Sequence, residues 1–226
     1  MIMKLGVLFS GGKDSTLAMH IAEKDHEISC LLSMKSENDA SYMFHTPNID
    51  ITELQAESLG IPLLVGFTKG EKEFELSDLK DLIENAVELF GIEGIVTGAV
   101  ASEYQASRIQ KICDELGLKC VNPLWQMNQL DLLNELLEQD FDVMIVAIGA
   151  YPLNDSWLGR KLDKNIISEL AELQKKYGVN PAGEGGEFES LVLNAPLFKK
   201  RVEIKKFEKE YKNHVGIFRI LNAELE

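Results

Sequence analysis

The stretch "GVLFSGGKDSTLAMH", residues 6–20, decides the reading of this chain. An apolar run from Leu5 to Phe9 breaks into Ser10, Gly11 and Gly12, and Lys13, Asp14 and Ser15 then open a segment of helical period. Glycines directly after a buried strand permit positive φ and let a ligand approach the backbone closely. The following helix aims its unpaired first-turn N–H groups, and the positive end of its dipole, at the same point. Strand, glycine turn and helix N-terminus together predict an anion site, most often for phosphate. Asp14 and Ser15 are also expected to cap first-turn N–H groups. A plain capped glycine turn would account for the glycines, but not for Lys13 beside an acid and two hydroxyls. The pattern is not a Walker loop, because Asp14 follows Gly12-Lys13 and no glycine lies five positions before Gly12; nor is it G-x-G-x-x-G.

Outward from this turn, the first ~125 residues alternate between short apolar runs and helix-period segments. The runs are "KLGVLFS", "EISCLLSM", "IPLLVGFT", "GIVTGAV" and "LKCVNPLW"; the helical segments are 15–24, 51–59, 76–90 and 104–116. Continuous apolar strands separated by helices predict an α/β fold, a Rossmann-like parallel sheet with helices on both faces and right-handed crossovers. Gly60, Gly91 and Gly117 stand where helix C-terminal caps belong. Beyond Trp125 the pattern loosens into helices at 130–137 and 166–177, a buried strand in "FDVMIVAIGAY", and an alternating tail from Leu191 that reads as antiparallel strands. The segment "GVNPAGEGGEFES" fits neither helix nor strand. The expected division is an N-terminal nucleotide-binding domain, 1–124, and a smaller α+β domain, 125–226.

Composition narrows the class. The 226 residues are 45% hydrophobic and carry a net charge of -14, with 23 Lys and Arg against 37 Asp and Glu. Such a surface repels phosphate backbones, so no nucleic acid is expected as a bulk partner. The basic cluster Lys199, Lys200, Arg201, Lys205 and Lys206 is either a local basic patch or an edge strand protected by lysines, and the second reading is favoured. No apolar run reaches the ~18 residues a membrane span needs, and the N-terminus lacks a signal-peptide layout, so the expectation is a soluble cytoplasmic protein with no membrane partner. Cys30, Cys113 and Cys120 form no C-x-x-C pair and read as small buried residues in a reducing compartment. Whether the chain forms a homo-oligomer is left open.

Ser10, Gly11, Gly12, Asp14 and Ser15 match, position for position, the S-G-G-x-D-S/T loop to which the segment is similar, the PP-loop of the adenine nucleotide α-hydrolase-like ATP pyrophosphatases. Within that superfamily several further stretches resemble the diphthine–ammonia ligases. They are "SYMFHTPN" (41–48), "TGAVASEYQASRIQ" (97–110), "PLW" (123–125), "SWLGRKLD" (156–163) and "NPAGEGGEFES" (180–190), the last resembling an acidic, glycine-rich G-E-x-G-E-[FY]-[EH]-[ST] signature. The resemblance covers nearly the whole chain and implies the core enzyme, without the extra C-terminal domains of many eukaryotic members. It implies ATP-dependent amidation of diphthine on elongation factor 2. AMP is transferred to the diphthine carboxylate, pyrophosphate leaves, and ammonia attacks the acyl-adenylate.

The resemblance assigns candidate roles. Residues 10–15 would hold the nucleotide, with Met34 and Gly98 also beside it, and Lys13 would stabilise the leaving pyrophosphate. Asp14 is the candidate carboxylate for Mg²⁺, which favours phosphate oxygens with one or two carboxylates. Glu184, Gly185, Gly186, Glu187 and Glu189 would serve the acceptor, ammonium or the quaternary ammonium of diphthine. Glu187 is the preferred acid because Gly186 leaves room beside it. Ser102, Tyr104, Gln105 and Arg108 follow the fourth strand, where a pocket opens. Arg108 would face a phosphate or the diphthine carboxylate, or else form a surface ion pair. His45 and Trp157 are weaker substrate candidates, since a lone loop histidine is usually just exposed and Trp157 suits the core as well as a cation. Met34 likewise suits the core. The rival readings are a tRNA-modifying PP-loop ligase or thiolase, disfavoured by the acidic balance and the absence of C-x-x-C, and a non-catalytic nucleotide-binding sensor.

Overall fold

The computed structural model describes residues 2–37, 48–70 and 74–226. Five strands, β1 (Lys4–Leu8), β2 (Glu27–Ser36), β3 (Leu63–Thr68), β4 (Gly94–Val96) and β5 (Lys119–Val121), form a sheet in the order β3-β2-β1-β4-β5. Every pairing in it is parallel. The intervening helices are α1 (Lys13–Glu23), α2 (Ile51–Leu59), α3 (Phe74–Phe90) and α4 (Glu103–Leu116). The α/β fold with a parallel sheet between two helical layers is therefore as expected. Gly60 and Gly117 close their helices with φ of 70° and 69°, and Gly91, with φ of 62°, follows α3 directly. These are left-handed positions that favour glycine.

Residues beyond this sheet form α5 (Gln129–Glu138), β6 (Asp142–Ile148), α6 (Lys164–Tyr177), β7 (Phe188–Asn194), β8 (Val202–Lys212) and β9 (Val215–Leu225). Four strands make a second sheet, β7-β6-β9-β8, with antiparallel pairing throughout. One detail corrects the reading of "GVNPAGEGGEFES": its last three residues begin β7, so Glu189 and Ser190 sit on a strand rather than in a loop. Strand β8 lies at the sheet's edge and carries Lys205 and Lys206, as the edge-strand reading expects, while Lys199, Lys200 and Arg201 precede it.

The two sheets share a core. Leu17 and Met19 of α1 cluster with Leu132 and Leu133 of α5, Val146 of β6 and Val192 of β7, all at most 1% exposed. Helix α1 is thus enclosed by the parallel sheet on one side and the second half on the other. A helix so enclosed is buried on most of its faces, so that Leu17, Ala18, Met19, His20 and Ala22 are all buried. A separate cluster, including Leu32, Leu79, Ile83, Ile95 and Ile112, fills the space between the sheet's other face and α3 and α4. Truncating Leu17 in such a setting costs about 2–5 kcal/mol. Cys30 and Cys113 are buried and Cys120 is half-buried, all three as free thiols. Burial pushes the Cys30 thiol up to about 11. No described helix is long and apolar enough to cross a membrane.

Candidate functional site

In the order β3-β2-β1-β4-β5, the chain changes direction between β1 and β4. The segments leaving the C-terminal ends of these two strands diverge and open a crevice, where open parallel sheets hold ligands. Here the crevice becomes a cavity of about 900 Å³. Its walls come from Ser10 and residues 12–15 after β1, from Thr97, Gly98, Ala99, Ser102, Tyr104 and Gln105 after β4, and from Glu184, Phe188, Glu189 and Ser190 of the second half.

The glycine turn is held by neighbours on both sides. Gly11 adopts φ +76°, and its carbonyl accepts from the Val192 N–H at 3.0 Å and from Gln55 Nε2 at 3.0 Å. Gln55 Nε2 also donates to the Val192 carbonyl at 2.7 Å, so α2, the turn and β7 meet at one amide. The Lys13 N–H donates to Ser190 Oγ at 3.2 Å. This corrects the capping expectation: Gly12 is the N-cap and no side chain of its own segment caps α1. Ser15 instead ties the turn together, its Oγ accepting from the Ser10 N–H at 3.3 Å and donating to the Gly12 carbonyl at 3.2 Å. The N–H groups of Asp14 and Ser15 have no partner within the helix, as geometry requires of a first turn.

Gly98 completes this wall. A Cβ there would lie 2.7 Å from the Ser15 N and 2.8 Å from the Asp14 carbonyl carbon. Only a glycine lets the segment after β4 abut the backbone of the helix N-terminus so closely.

Lys13 is 4% exposed, with its Nζ 2.7 Å from Asp14 Oδ2 and 5.6 Å from the centre of the Phe188 ring. Asp14 Oδ1 is buried, with no hydrogen-bond partner among the described residues. A buried carboxylate oxygen beside a cavity and a helix N-terminus fits a cation accompanying phosphate. Glu184 faces the same region. Its Oε2 accepts from the Ala101 N–H at 3.3 Å. Partial burial first, and the charge of Asp14 second, raise its carboxyl above the usual range, while Lys13 pulls it down.

Glu187 is placed differently. Its two carboxylate oxygens accept from the Asn180 N–H at 2.9 Å and the Gly185 N–H at 2.8 Å, and its carbonyl accepts from the Gly149 N–H at 2.8 Å. It folds the acidic segment, and the cavity wall runs through residues 183–186 and 188–190, passing over Glu187. Gly185, Gly186 and Glu189 do line the cavity. So does Met34, 5% exposed, which shares an apolar end with Leu32, Leu79 and Ile109 and is both core and wall. Ser102 caps α4 by accepting from the Gln105 N–H at 3.3 Å. Arg108 is not brought to the wall: its guanidinium lies 3.5 Å from the centre of the Tyr104 ring. Trp157 is 6% exposed, packs in the core and carries Arg160 over its ring at 4.6 Å, away from the cavity. His45 lies outside the described residues.

Sequence reasoning missed Gln55. It is fully buried on the face of α2 that carries Ile51, Ala56 and Leu59. A glutamine on an apolar stripe was the available signal, since a buried amide must find partners.

Known proteins place the chain. A solved U34-tRNA thiolase from Methanococcus maripaludis is 15% identical and aligns over 82% of this chain and 71% of that one, with a TM-score of 0.40. Diphthine–ammonia ligases are far nearer in sequence. The human protein is 37% identical over 91% of this chain and 84% of its own length, and the zebrafish (Danio rerio) protein 33% identical over 89% and 86%. The fission yeast (Schizosaccharomyces pombe) protein is 34% identical over 94% of this chain, which spans 37% of that longer protein. Residues 3–120 match the diphthamide synthase N-terminal domain and residues 128–225 its C-terminal domain. With both domains matched in order over nearly its full length, the chain belongs to the diphthamide synthase family.

Proposed function

We propose that this protein is a diphthine–ammonia ligase, converting the diphthine carboxylate on elongation factor 2 to the amide with ATP and ammonium, and releasing AMP and pyrophosphate. The observation that carries this reading is one cavity whose two walls suit opposite charges. One wall is a helix N-terminus with buried Lys13, suited to phosphate; the other carries Glu184 and Glu189, suited to a cationic acceptor. Chain membership in a family of ligases supplies the reaction.

The chemistry follows from the residues. A carboxylate is a poor electrophile, and joining it to AMP gives it a good leaving group. The N–H groups of Asp14 and Ser15, together with Lys13, stabilise the negative charge that grows on the departing pyrophosphate. The apolar end at Leu32, Met34, Leu79 and Ile109 suits a flat, weakly polar base. Asp14 would hold Mg²⁺, which when bound offsets phosphate charge. Ammonia must arrive without its extra proton, or lose it on attack, and a carboxylate whose affinity for protons is raised is a better acceptor. Glu184 is therefore the assigned proton acceptor, and Glu187 holds its loop. Residues 1–124 serve ATP in this scheme and residues 125–226 serve the acceptor.

The test incubates the protein with ATP, ammonium and diphthine-bearing elongation factor 2. The expected result is the mass change of acid to amide, with AMP and pyrophosphate as co-products. Turnover of ATP to ADP, or turnover that requires tRNA instead, would rule the reading out.

A further inference from the structure

At the cavity mouth three separate segments bring exposed aromatic rings together. Gly149, Val215 and Gly216 line the cavity. Tyr151 stands two residues after Gly149, His214 precedes Val215, and Tyr211 is the cross-strand partner of Gly216. A Cβ on Gly216 would lie 3.2 Å from the Tyr211 ring, so the glycine is what lets that ring lie against β9. The Tyr151 ring meets Tyr177, from the last turn of α6, edge-on at 5.4 Å, and meets His214 edge-on at 5.1 Å. His214 in turn lies 3.0 Å from the Leu153 carbonyl through Nδ1.

The rings are ordered by one another yet remain open to solvent: Tyr151 is 60% exposed, Tyr177 41% and Tyr211 40%. Val215, which lines the cavity, is 58% exposed and extends the patch to its edge. Packing alone does not call for three large rings at the surface. Exposed, mutually braced tyrosines are the residues that dominate protein–protein interfaces, because they give large contact area with little conformational freedom left to lose.

We infer that Tyr151, Tyr177, Tyr211 and His214 form the docking surface for the protein that carries the acceptor side chain. This inference rests on the reaction proposed above. A cavity of about 900 Å³ admits a side chain and a nucleotide but not a folded protein. The surface around the modified residue must therefore rest on the rim, and the aromatic patch is continuous with that rim through Val215 and Gly149. Lys176, with its Nζ 5.0 Å from the centre of the Tyr177 ring, adds a positive charge to this side of the mouth.

The experiment compares wild type with Y151A/Y177A/Y211A, and with the triple Tyr→Phe variant as a conservative control. The readouts are KM and kcat for diphthine-bearing elongation factor 2, KM for ATP, and the melting temperature. The expected result is a rise of about tenfold or more in the KM for the protein substrate. The kcat at saturation and the KM for ATP stay within twofold, and the Phe variant largely recovers. An unchanged KM for the protein substrate overturns the inference, as does a fall in kcat with loss of ATP affinity, which would make the rings structural. A wild-type protein that amidates nothing overturns the reaction itself, and the docking surface with it.

Discussion

The two loops that meet in the cavity are built in different ways. The turn at residues 10–15 is held from outside: Val192 and Gln55 grip the Gly11 carbonyl, Ser190 takes the Lys13 N–H, and Gly98 presses on the backbone of Asp14 and Ser15. The acidic segment at 180–187 is folded mainly by its own groups, with ties to Ala101, Gln129 and Gly149 around it. Glu187 accepts from Asn180 and Gly185, and the Gly186 N–H donates to the Gly183 carbonyl at 3.0 Å. A loop that must present backbone N–H groups to phosphate gains from being fixed by the whole fold, since preorganised donors stabilise charge without reorganising. A loop that must receive a side chain from another protein can be a local unit hinged on glycines. Gly183 and Gly186, with φ of +77° and +81°, sit at its turns.

This contrast is broken most severely at Asp14. Asp14→Ala removes the partner of Lys13 and the buried oxygen that suits a cation, and turnover is expected to fall by ~100-fold or more. Melting should show the fold intact, and near-normal turnover in a folded variant would remove Asp14 from the site. A second break in the contrast is at Gly98. The Cβ of Gly98→Ala would meet backbone atoms, which cannot rotate away as a side-chain tip can, so the helix N-terminus has to shift. Overpacking of this kind costs about 1–3 kcal/mol, and ATP affinity should drop by about tenfold if the shift is felt at the phosphates. Calorimetric titration of nucleotide into the variant checks this. Unchanged affinity would mean that the turn adapts, against the view that it is fixed from outside.

The same contrast explains what the sequence disclosed. Everything dictated by short-range pattern was legible: strand, glycine turn and helix around Gly11, the parallel sheet, the glycine caps at Gly60 and Gly117, the lysine-bearing edge strand. Within the site, Lys13, Asp14, Met34 and Gly98 stand on the cavity wall because the sheet's topology sends them there. The supports from distant residues were not legible. Gln55 and Ser190 reach the turn only through tertiary packing, 44 and 177 positions away from their partners. Nor could a run of three glutamates in six residues reveal which one faces the cavity. That choice depends on the sense of the turns at Gly183 and Gly186, and those turns send Glu184 to Ala101 and fold Glu187 back on its own loop. Trp157 illustrates the converse, since its cation partner Arg160 lies within its own neighbourhood, while Arg108 stacks on Tyr104 of the cavity wall.

The most discriminating test compares Glu184→Gln with Glu187→Gln. If Glu184 is the proton acceptor, its amide variant keeps ATP affinity within a few-fold and loses about a hundredfold in amide formation. Glu187→Gln instead gives up one of two acceptor oxygens that fold the loop, so it lowers the melting temperature and impairs amidation through KM for the protein substrate more than through kcat. Stability carries an independent signature. Burial and Asp14 raise the Glu184 carboxyl in the folded protein, so the folded state binds that proton more tightly than the unfolded chain does. Its contribution favours folding at pH values below the unfolded value and is lost as pH rises through the raised one. Above that range the ionised Glu184 is a cost, which Gln does not bear while its side-chain carbonyl can still accept from the Ala101 N–H. Glu184→Gln should therefore melt slightly higher than wild type near neutral pH, with the advantage shrinking as pH falls through the carboxylate range. Melting curves of both variants across that range decide it. A Glu184→Gln protein that melts below wild type at neutral pH would show that its carboxylate braces the fold, leaving Glu189 as the acid on the cavity wall.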